Sequence, residues 1–452
     1  MDSQAMPTAN TSPYAKIQTL QRQAASLLLY QSVLEGKVGR AFLDLLQAIR
    51  YTDADGRDCL QAYGNYFQSL AASNQNWEEN LIHQILVADN PFTRLAQKSE
   101  FALIPPAVTA AVQHDLQIFQ NLCECNSAIL SEWVQIVTHL PVSPVVWYQE
   151  PENNNQETEF LTYLQSLENW SQAVENLAKY YQQFGVGIFT EYHAFRWQNG
   201  QFTGIAHPDP IKLNELVGYE IPKAALVKNT EFLLSGQTAL HILLYGSRGS
   251  GKSSLVKALL NEYSHRNLRL IEVGKSELYN LPQIVEQLRG VPQKFIIFVD
   301  DLSFENDDDA FKSLKVVLEG NLTARPQNVI VCATSNRRHL IREYFTDRPA
   351  PKDHEEVHAW DTMQEKLSFS DRFGLTLTFP PADQDTYLQI VQHLATQAGI
   401  NINQTDLEYQ ALQWATRHNG RSGRTARQFI DFLKADLTLF SQNENIQHIA
   451  SK

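Results

Sequence analysis

Long apolar runs are absent from this sequence of 452 residues. No stretch approaches about 18 consecutive apolar residues, the length that predicts a membrane-spanning helix. Residues 1–13 are polar and lack the apolar core of a secretion signal. We therefore expect no membrane span, no secretion and a cytoplasmic location.

Cysteine is also scarce, with four residues in the whole chain: Cys59, Cys123, Cys125 and Cys332. So small a number suits a reducing compartment. Cys123 and Cys125 fall within an apolar helical pattern, and no second Cys or His pair accompanies them at a metal-binding spacing. We interpret them as buried thiols rather than as a metal or redox site.

Basic residues are outnumbered, with 37 Lys and Arg against 50 Asp and Glu and a net charge of −13. The first 200 residues hold 10 basic and 20 acidic side chains. This balance argues against sequence-independent binding of nucleic acid by that half of the chain. Basic clusters at 337–342 and 417–427 could contact phosphates, so nucleic acid is retained as a less favoured partner.

Helical periodicity dominates the first third of the chain, and it predicts an α-helical N-terminal domain over residues 1–150. Residues 151–207 are predicted to form a connector. It begins with a polar linker and continues as one long amphipathic helix over 160–181. It ends in a β-hairpin, because Asn199 and Gly200 separate two strand-like runs.

A glycine-rich loop follows the apolar run 240–245 and precedes a helical pattern. It fits G-x-x-x-x-G-K-[ST] with Gly246, Gly251, Lys252 and Ser253 in the fixed places. Glycines let backbone N–H groups approach phosphates, and the next helix offers a positive dipole end. Lys252 is expected to reach the β- and γ-phosphates, and Ser253 to hold Mg²⁺. The predicted nucleotide-binding residues of the loop are Gly246, Ser247, Arg248, Gly249, Ser250, Gly251, Lys252, Ser253 and Ser254.

Four further apolar runs predict strands, at 268–273, 295–299, 329–333 and 375–379. Helical stretches separate them, and this alternation predicts a parallel sheet with helices on both faces. The run 295–299 ends in Asp300 and Asp301, and a carboxylate at this place can hold Mg²⁺. The next run leads to Asn336, at the same sheet edge. The alternative for Asn336 is a helix N-cap.

Residues from about 210 to 435 resemble an AAA+ ATPase module. The loop 246–253 resembles Walker A, 295–301 resembles Walker B, and 334–336 resembles sensor 1. The resemblance implies an α/β fold: a P-loop NTPase core with a five-stranded parallel sheet over 208–380, and a helical lid over 381–452. The α-helical N-terminal domain would precede it.

The same resemblance implies roles for single residues. Segment 370–374 resembles the arginine-finger segment, so Arg372 would reach the γ-phosphate of a neighbouring subunit. Segment 423–429 resembles sensor 2, with Arg427 the better match and Arg424 the second choice. Val217 and Gly218, followed by a tyrosine, resemble the segment that packs on adenine. The resemblance also implies that Asp300 holds Mg²⁺, that Asp301 positions water, and that Asn336 reads the γ-phosphate.

The amino-acid sequence of segments 298–305, 333–339 and 367–374 is similar to that of one bacterial AAA+-type ATP-binding family of unknown function. ATP and Mg²⁺ are the implied cofactors, and a homo-oligomer is the implied assembly. The first hypothesis is an ATPase that hydrolyses Mg·ATP at subunit interfaces and remodels or assembles an unknown protein partner. The helical N-terminal domain would bind this partner.

One residue departs from the usual AAA+ pattern. Most AAA+ motors carry Glu at the position of Asp301, whose side chain is one methylene shorter. A carboxylate displaced by about 1 Å can cost roughly a hundredfold in rate. The second hypothesis is therefore a slow ATP-dependent switch or scaffold, similar to initiator and loader proteins, with little intrinsic hydrolysis.

Two other motifs are weighed and set aside. His354, Glu355 and His358 fit the zinc-protease pattern H-E-x-x-H, but the surrounding sequence is short and charged and offers no obvious third ligand. Zinc protease activity is thus a distant alternative. Tyr279 is the aromatic candidate for a pore loop, and we interpret it as a packing residue.

Overall fold

The computed structural model describes residues 13–149, 156–303, 309–319, 324–336, 368–418 and 420–449. The chain divides into two compact units, Met1–Glu191 and Tyr192–Lys452. Within these described ranges, every helix is too short or too polar to cross a membrane.

The first unit is helical, as expected. Its helices are α1 (Pro13–Ala25), α2 (Lys37–Arg50), α3 (Arg57–Ser73), α4 (Trp77–Val87), α5 (Pro91–Lys98), α6 (Pro106–Glu124), α7 (Ser127–Thr138), α8 (Gln156–Gln165), α9 (Val174–Phe184) and α10 (Ile188–Glu191). They enclose an apolar core in which Phe42 stacks on Trp77 with ring centroids 4.0 Å apart. Cys59, Cys123 and Cys125 are free and buried, which confirms the interpretation of Cys123 and Cys125 as buried thiols.

The single long helix expected over 160–181 is divided in two. A 3-10 helix, Trp170–Ala173, separates α8 from α9. The Asn169 side chain accepts the N–H of Ser171 at 2.8 Å, a local bond that competes with a continuous helix. The Gln120 side chain also accepts the N–H of Trp170, at 3.1 Å. Capping and a contact from α6 therefore override the amphipathic pattern.

The second unit contains a seven-stranded sheet with the order β2-β1-β4-β5-β6-β3-β7. The strands are β1 (Ala194–Gln198), β2 (Gln201–Ile205), β3 (Ile242–Gly246), β4 (Leu268–Glu272), β5 (Lys294–Val299), β6 (Val329–Ser335) and β7 (Leu375–Phe379). Strands β3 to β7 are mutually parallel and confirm the predicted five-stranded sheet. All four apolar runs after the loop form strands.

The predicted hairpin is present, and it extends this sheet. Asn199 and Gly200 have φ of 53° and 79°, the left-handed pair of a tight hairpin turn. Strand β1 is antiparallel to β2 and parallel to β4. Arg196 on β1 donates to Glu272 on β4 at 2.7 Å. The sheet is therefore two strands wider than predicted.

Strand order decides which side chains meet at the carboxyl edge of the sheet. Strand β6 lies between β3 and β5, with Leu244 of β3 opposite Thr334 of β6. The loop after β3 and Asp300 after β5 thus flank the end of β6, where Asn336 follows. Among the described residues, the α-helices of this core are α11 (Glu220–Leu234), α12 (Lys252–Tyr263), α13 (Leu281–Gln287) and α14 (Asp309–Glu319).

Three helices after β7 form the predicted lid. They are α15 (Gln384–Gln397), α16 (Gln404–Arg417) and α17 (Gly423–Ile449). Asp383 and Asn403 cap the first two, accepting the N–H groups of Thr386 and Thr405. The helices share a separate apolar core that includes Tyr387.

Candidate functional site

A cavity of about 500 Å³ lies at the carboxyl ends of β3, β5 and β6, beneath the lid. Most of the residues predicted from the sequence line it. These are Val217, Arg248, Gly249, Ser250, Gly251, Lys252, Ser253, Ser254, Asp300, Asp301, Asn336, Arg424 and Arg427. Gly246 and Ser247 form the start of the same loop, and Gly218 lies between two lining residues. The fold thus gathers segments that are far apart in sequence.

The loop between β3 and α12 has a backbone that requires glycine. Gly246, Gly249 and Gly251 all have positive φ. A Cβ on Gly246 would lie 2.0 Å from the carbonyl oxygen of Phe379 in β7. Helix α12 begins at Lys252, so its unpaired N–H groups lie at the end of the loop. This arrangement has the features of an anion-binding site.

The Lys252 side chain lies inside the loop and is 6% exposed. Its Nζ donates to the carbonyl oxygens of Gly246 at 3.0 Å and Ser247 at 2.6 Å. Burial lowers the pKa of Lys252, although Asp300 and Asp301 partly oppose this effect. The loop itself therefore orients the ammonium group.

Ser253 and Asp300 meet across the sheet edge, where Ser253 Oγ donates to Asp300 Oδ1 at 2.6 Å. A hydroxyl and a carboxylate are hard oxygen ligands, which suit Mg²⁺. In the described part of the chain, no cluster of three or more His, Cys, Asp or Glu side chains could hold a metal ion. Mg²⁺ usually takes further ligands from phosphates and water, so one hydroxyl and one carboxylate are compatible with it.

Asp301 and Asn336 are also joined directly. Asn336 Nδ2 donates to Asp301 Oδ1 at 2.8 Å, and Lys252 Nζ lies 3.4 Å from Asn336 Oδ1. Asp301 has φ of 52°, in the left-handed region that few non-glycine residues adopt. The alternative role of Asn336, as a helix N-cap, concerns the segment that begins at residue 337. This segment lies outside the described residues.

The segment expected to pack on adenine borders the apolar end of the cavity. Val217 and Tyr219 line it. Gly218 has φ of 93°, and a Cβ there would lie 2.8 Å from Cγ2 of Thr386 on the lid. Tyr219 donates through its hydroxyl to the carbonyl oxygen of Pro380 at 3.0 Å. Glycine at 218 thus permits a close approach between this segment and the lid.

Two arginines of the lid reach the cavity. Arg427 donates to Glu215 at 3.3 Å, and the Arg424 N–H donates to the carbonyl oxygen of Gly249 at 3.1 Å. Glu215 also lines the cavity, and sequence reasoning missed it. The first turn of α17 therefore attaches the lid to the phosphate loop.

Arg372 is not among the residues that line the cavity. It ends the 3-10 helix Ser368–Arg372 before β7 and forms an ion pair with Glu319 at the end of α14. The structure therefore separates Arg372 from the other predicted catalytic residues of its own chain.

Three further sequence interpretations have different outcomes. Tyr279 is 59% exposed, so its interpretation as a packing residue was wrong. The motif of His354, Glu355 and His358 lies outside the described residues, as does the basic cluster 337–342.

The strand order, the loop after β3 and the helical lid define an AAA+ ATPase fold. The chain belongs to the family described as "Protein of unknown function (DUF815)", which matches residues 190–437, more than half of the chain. The predicted resemblance to an AAA+-type family of unknown function is thereby confirmed.

The chain is also similar to individual proteins. Over 81 residues it is 35% identical to the replication factor C large subunit of Methanococcus maripaludis, covering 18% of this chain and 16% of that protein. It thus spans only a small part of the length of this curated relative. The solved structure of the Thermotoga maritima RuvB Holliday junction branch migration motor matches with a TM-score of 0.34 and 16% identity, covering 51% of this chain and 67% of that one. A variant of the same protein gives 0.36 and 17% over the same shares.

Proposed function

We propose that this protein binds Mg·ATP in the cavity and hydrolyses it. One observation carries the proposal: Ser253 of the phosphate loop bonds Asp300 at 2.6 Å, beside the bonded pair of Asp301 and Asn336. A phosphate-binding loop, a pair of hard oxygen ligands and a second carboxylate then share one cavity. Nucleotide hydrolysis needs these parts together.

Each residue has a proposed role in this reaction. The loop N–H groups and Lys252 bind the phosphates, and Val217 and Gly218 flank the adenine. Ser253 and Asp300 hold Mg²⁺, which neutralises phosphate charge when bound.

The remaining groups act at the γ-phosphate. Asp301 orients the attacking water, Asn336 holds the Asp301 carboxylate, and Arg427 leaves Glu215 to contact the γ-phosphate.

We further propose that the site is completed by a second copy of the chain. Arg372 lies outside its own cavity and is held by Glu319, which supports a role in the site of a neighbouring subunit. Hydrolysis in such a homo-oligomer would remodel or assemble a protein partner bound by the helical N-terminal unit.

The test is phosphate release from Mg·ATP across a range of protein concentrations, with Lys252→Ala as the blank. We expect specific activity to rise with concentration. Lys257→Ala is the matched control, because Lys257 lies on the same helix with a half-exposed side chain near Asp209. Release at the blank level from the wild-type protein would contradict the proposal of hydrolysis.

The second candidate function is a slow ATP-dependent switch. It is supported by the short Asp301 side chain, whose Oδ1 already accepts a hydrogen bond from Asn336. This function predicts turnover well below about 1 s⁻¹ with ATP binding intact. Binding of ATP measured by calorimetry, together with release at the blank level, would favour the switch over the ATPase.

A further inference from the structure

The hydroxyl of Thr334, near the end of β6, makes two hydrogen bonds to the adjacent turn. Thr334 Oγ1 donates to Asp300 Oδ1 at 2.5 Å, and it accepts the N–H of Asp301 at 3.0 Å. A hydroxyl carries one donor hydrogen and two acceptor lone pairs, so both bonds form at the same time. The side chain is 2% exposed, so water competes little for either bond.

We propose that Thr334 is a positioning residue that sets both carboxylates of the site through this one hydroxyl. The proposal rests on the proposed function, because it concerns the geometry of Mg²⁺ binding and hydrolysis. Thr334 lines the cavity, but its single hydroxyl hydrogen is donated to Asp300. It therefore acts through the two aspartates rather than on the nucleotide.

The first effect is on Asp300. Its Oδ1 receives hydroxyl hydrogens from Ser253 at 2.6 Å and from Thr334 at 2.5 Å. Asp300 Oδ1 is thus held by the phosphate loop, through Ser253, and by β6, through Thr334. Hydrogen bonds to a charged acceptor are stronger than neutral ones, so the pair defines how the carboxylate faces the cavity.

The second effect is on the backbone of Asp301. Its left-handed conformation is disfavoured for a residue with a Cβ, so the turn needs external support. Besides the bond from Thr334 to Asp300, three bonds connect the turn to β6: Asp301 N–H to Thr334 Oγ1, Leu302 N–H to the Thr334 carbonyl at 2.7 Å, and Ser335 Oγ to the Leu302 carbonyl at 2.9 Å. Thr334 takes part in two of the three.

The direction of this turn determines where the short Asp301 side chain goes. In the observed conformation its Oδ1 lies 2.8 Å from Asn336 Nδ2, at the edge of the cavity. An extended backbone at 301 would send the carboxylate elsewhere. The Thr334 hydroxyl thus helps a carboxylate one methylene shorter than Glu to reach the γ-phosphate end of the cavity.

The experiment compares Thr334→Val, which keeps the shape and removes the hydroxyl, with Thr334→Ser, which keeps the hydroxyl. Thr230→Val is the matched control, because Thr230 is a fully buried threonine whose hydroxyl donates to the carbonyl of Leu226 in its own helix. The measurements are kcat and KM for ATP, the Mg²⁺ concentration at half-maximal activity, and ATP affinity without Mg²⁺.

We expect Thr334→Val to lower kcat by at least about tenfold and to raise the half-maximal Mg²⁺ concentration several-fold, since two bonds to the aspartate turn are lost. Its ATP affinity without Mg²⁺ should stay within about twofold of wild type, because the phosphate loop is unchanged. Thr334→Ser should restore most of kcat, and Thr230→Val should match the wild-type protein.

Unchanged kcat and Mg²⁺ dependence in a folded Thr334→Val protein would overturn the proposal, as would an equal loss in Thr334→Ser. Thr334→Ala removes the same hydroxyl without placing a methyl group against Asp300, and it repeats the test if the valine variant does not fold. If the wild-type protein itself releases no phosphate, the proposed hydrolysis has failed. The Mg²⁺ dependence of ATP binding then still tests Thr334, because Asp300 would contribute to binding without turnover.

Discussion

Three of the charged side chains that line the cavity have partners within the chain. Lys252 donates to loop carbonyls, Asp301 accepts from Asn336, and Arg427 donates to Glu215. At these three side chains, nucleotide binding would therefore replace existing hydrogen-bond partners rather than supply a first partner. Because burial lowers the Lys252 pKa, an incoming phosphate also restores the charged form of this lysine over a wider pH range.

His241, just before β3, gives a prediction about pH. It is 4% exposed, and its Nδ1 accepts the N–H of Val331 at 2.9 Å. Burial, assisted by Arg325, lowers its pKa from 6.5 to about 3. Below pH 6.5 the unfolded chain binds a proton on this ring that the folded protein does not. Stability due to His241 is thus present above pH 6.5 and is lost as pH falls toward 3.

The loss is about 1.4 kcal/mol per pH unit below 6.5. Urea unfolding of the wild-type protein and of His241→Asn, which keeps an acceptor near Nδ1, measures it. We expect the variant to lose about 1.4 kcal/mol less than wild type on going from pH 7 to about pH 5.5. Equal losses in the two proteins would show that His241 does not cause the pH dependence.

The sequence predicted the residues whose chemistry depends on local spacing. The loop from Gly246 to Ser254 could be placed because phosphate binding fixes its glycines and lysine. Partners from distant segments could not be predicted. Glu215 and Arg427 are 212 positions apart, and Glu319 and Arg372 are 53 apart. Thr334 was predicted only as the first residue of the segment 334–336 that resembles sensor 1, since its own role depends on which strand lies beside β5.

Strands β3 and β7 approach so closely at Gly246 that the site depends on their packing. We predict that Gly246→Ala is strongly destabilising, because the new Cβ would collide with the Phe379 carbonyl oxygen at 2.0 Å. Gly236→Ala is the control: Gly236 has φ of 70°, with no described atom within 4 Å of a Cβ. It measures backbone strain without a collision.

The measurement is the free energy of unfolding in urea. Gly246→Ala should lose at least about 2 kcal/mol more than Gly236→Ala, since overpacking adds to the strain of a positive φ. Similar losses would mean that the loop can move away from β7 at little cost.

Elements differed in how well the sequence predicted them. The parallel strands were predicted because strands buried on both faces form continuous apolar runs. Ile242, Leu243 and Leu244 are all fully buried. The division of the helix over 160–181 was missed because Asn169 caps the intervening 3-10 helix, Trp170–Ala173, through a local bond. The joining of β1 to β4 depends on non-local pairing that no local pattern encodes.

At the level of the assembly, the position of Arg372 gives a prediction about mixed oligomers. Lys252→Ala lacks a working loop but supplies Arg372, whereas Arg372→Ala keeps the loop and lacks the arginine. If Arg372 acts in a neighbouring site, mixing the two inactive proteins should create some interfaces with both groups. Phosphate release by the mixture should then exceed the sum of the separate rates.

Arg372→Ala alone should bind ATP with normal affinity and lose at least about tenfold in kcat. Arg266→Ala serves as the control, because Arg266 pairs with Glu231 on an exposed surface. A mixture no more active than the sum of its components would contradict a role of Arg372 in a neighbouring site. Loss of ATP binding in Arg372→Ala would also contradict it, because Arg372 would then contribute to nucleotide binding in its own subunit.

The bond between the Arg424 N–H and the Gly249 carbonyl has a mechanical consequence. It attaches the phosphate loop to the first turn of α17, a helix of 27 residues. At 1.5 Å per residue this helix is a rigid rod about 40 Å long. A rotation of about 10° at its base would sweep its far end through about 7 Å. A small adjustment of the loop around one phosphate would thus become a displacement of the helix end large enough to change a contact with another protein.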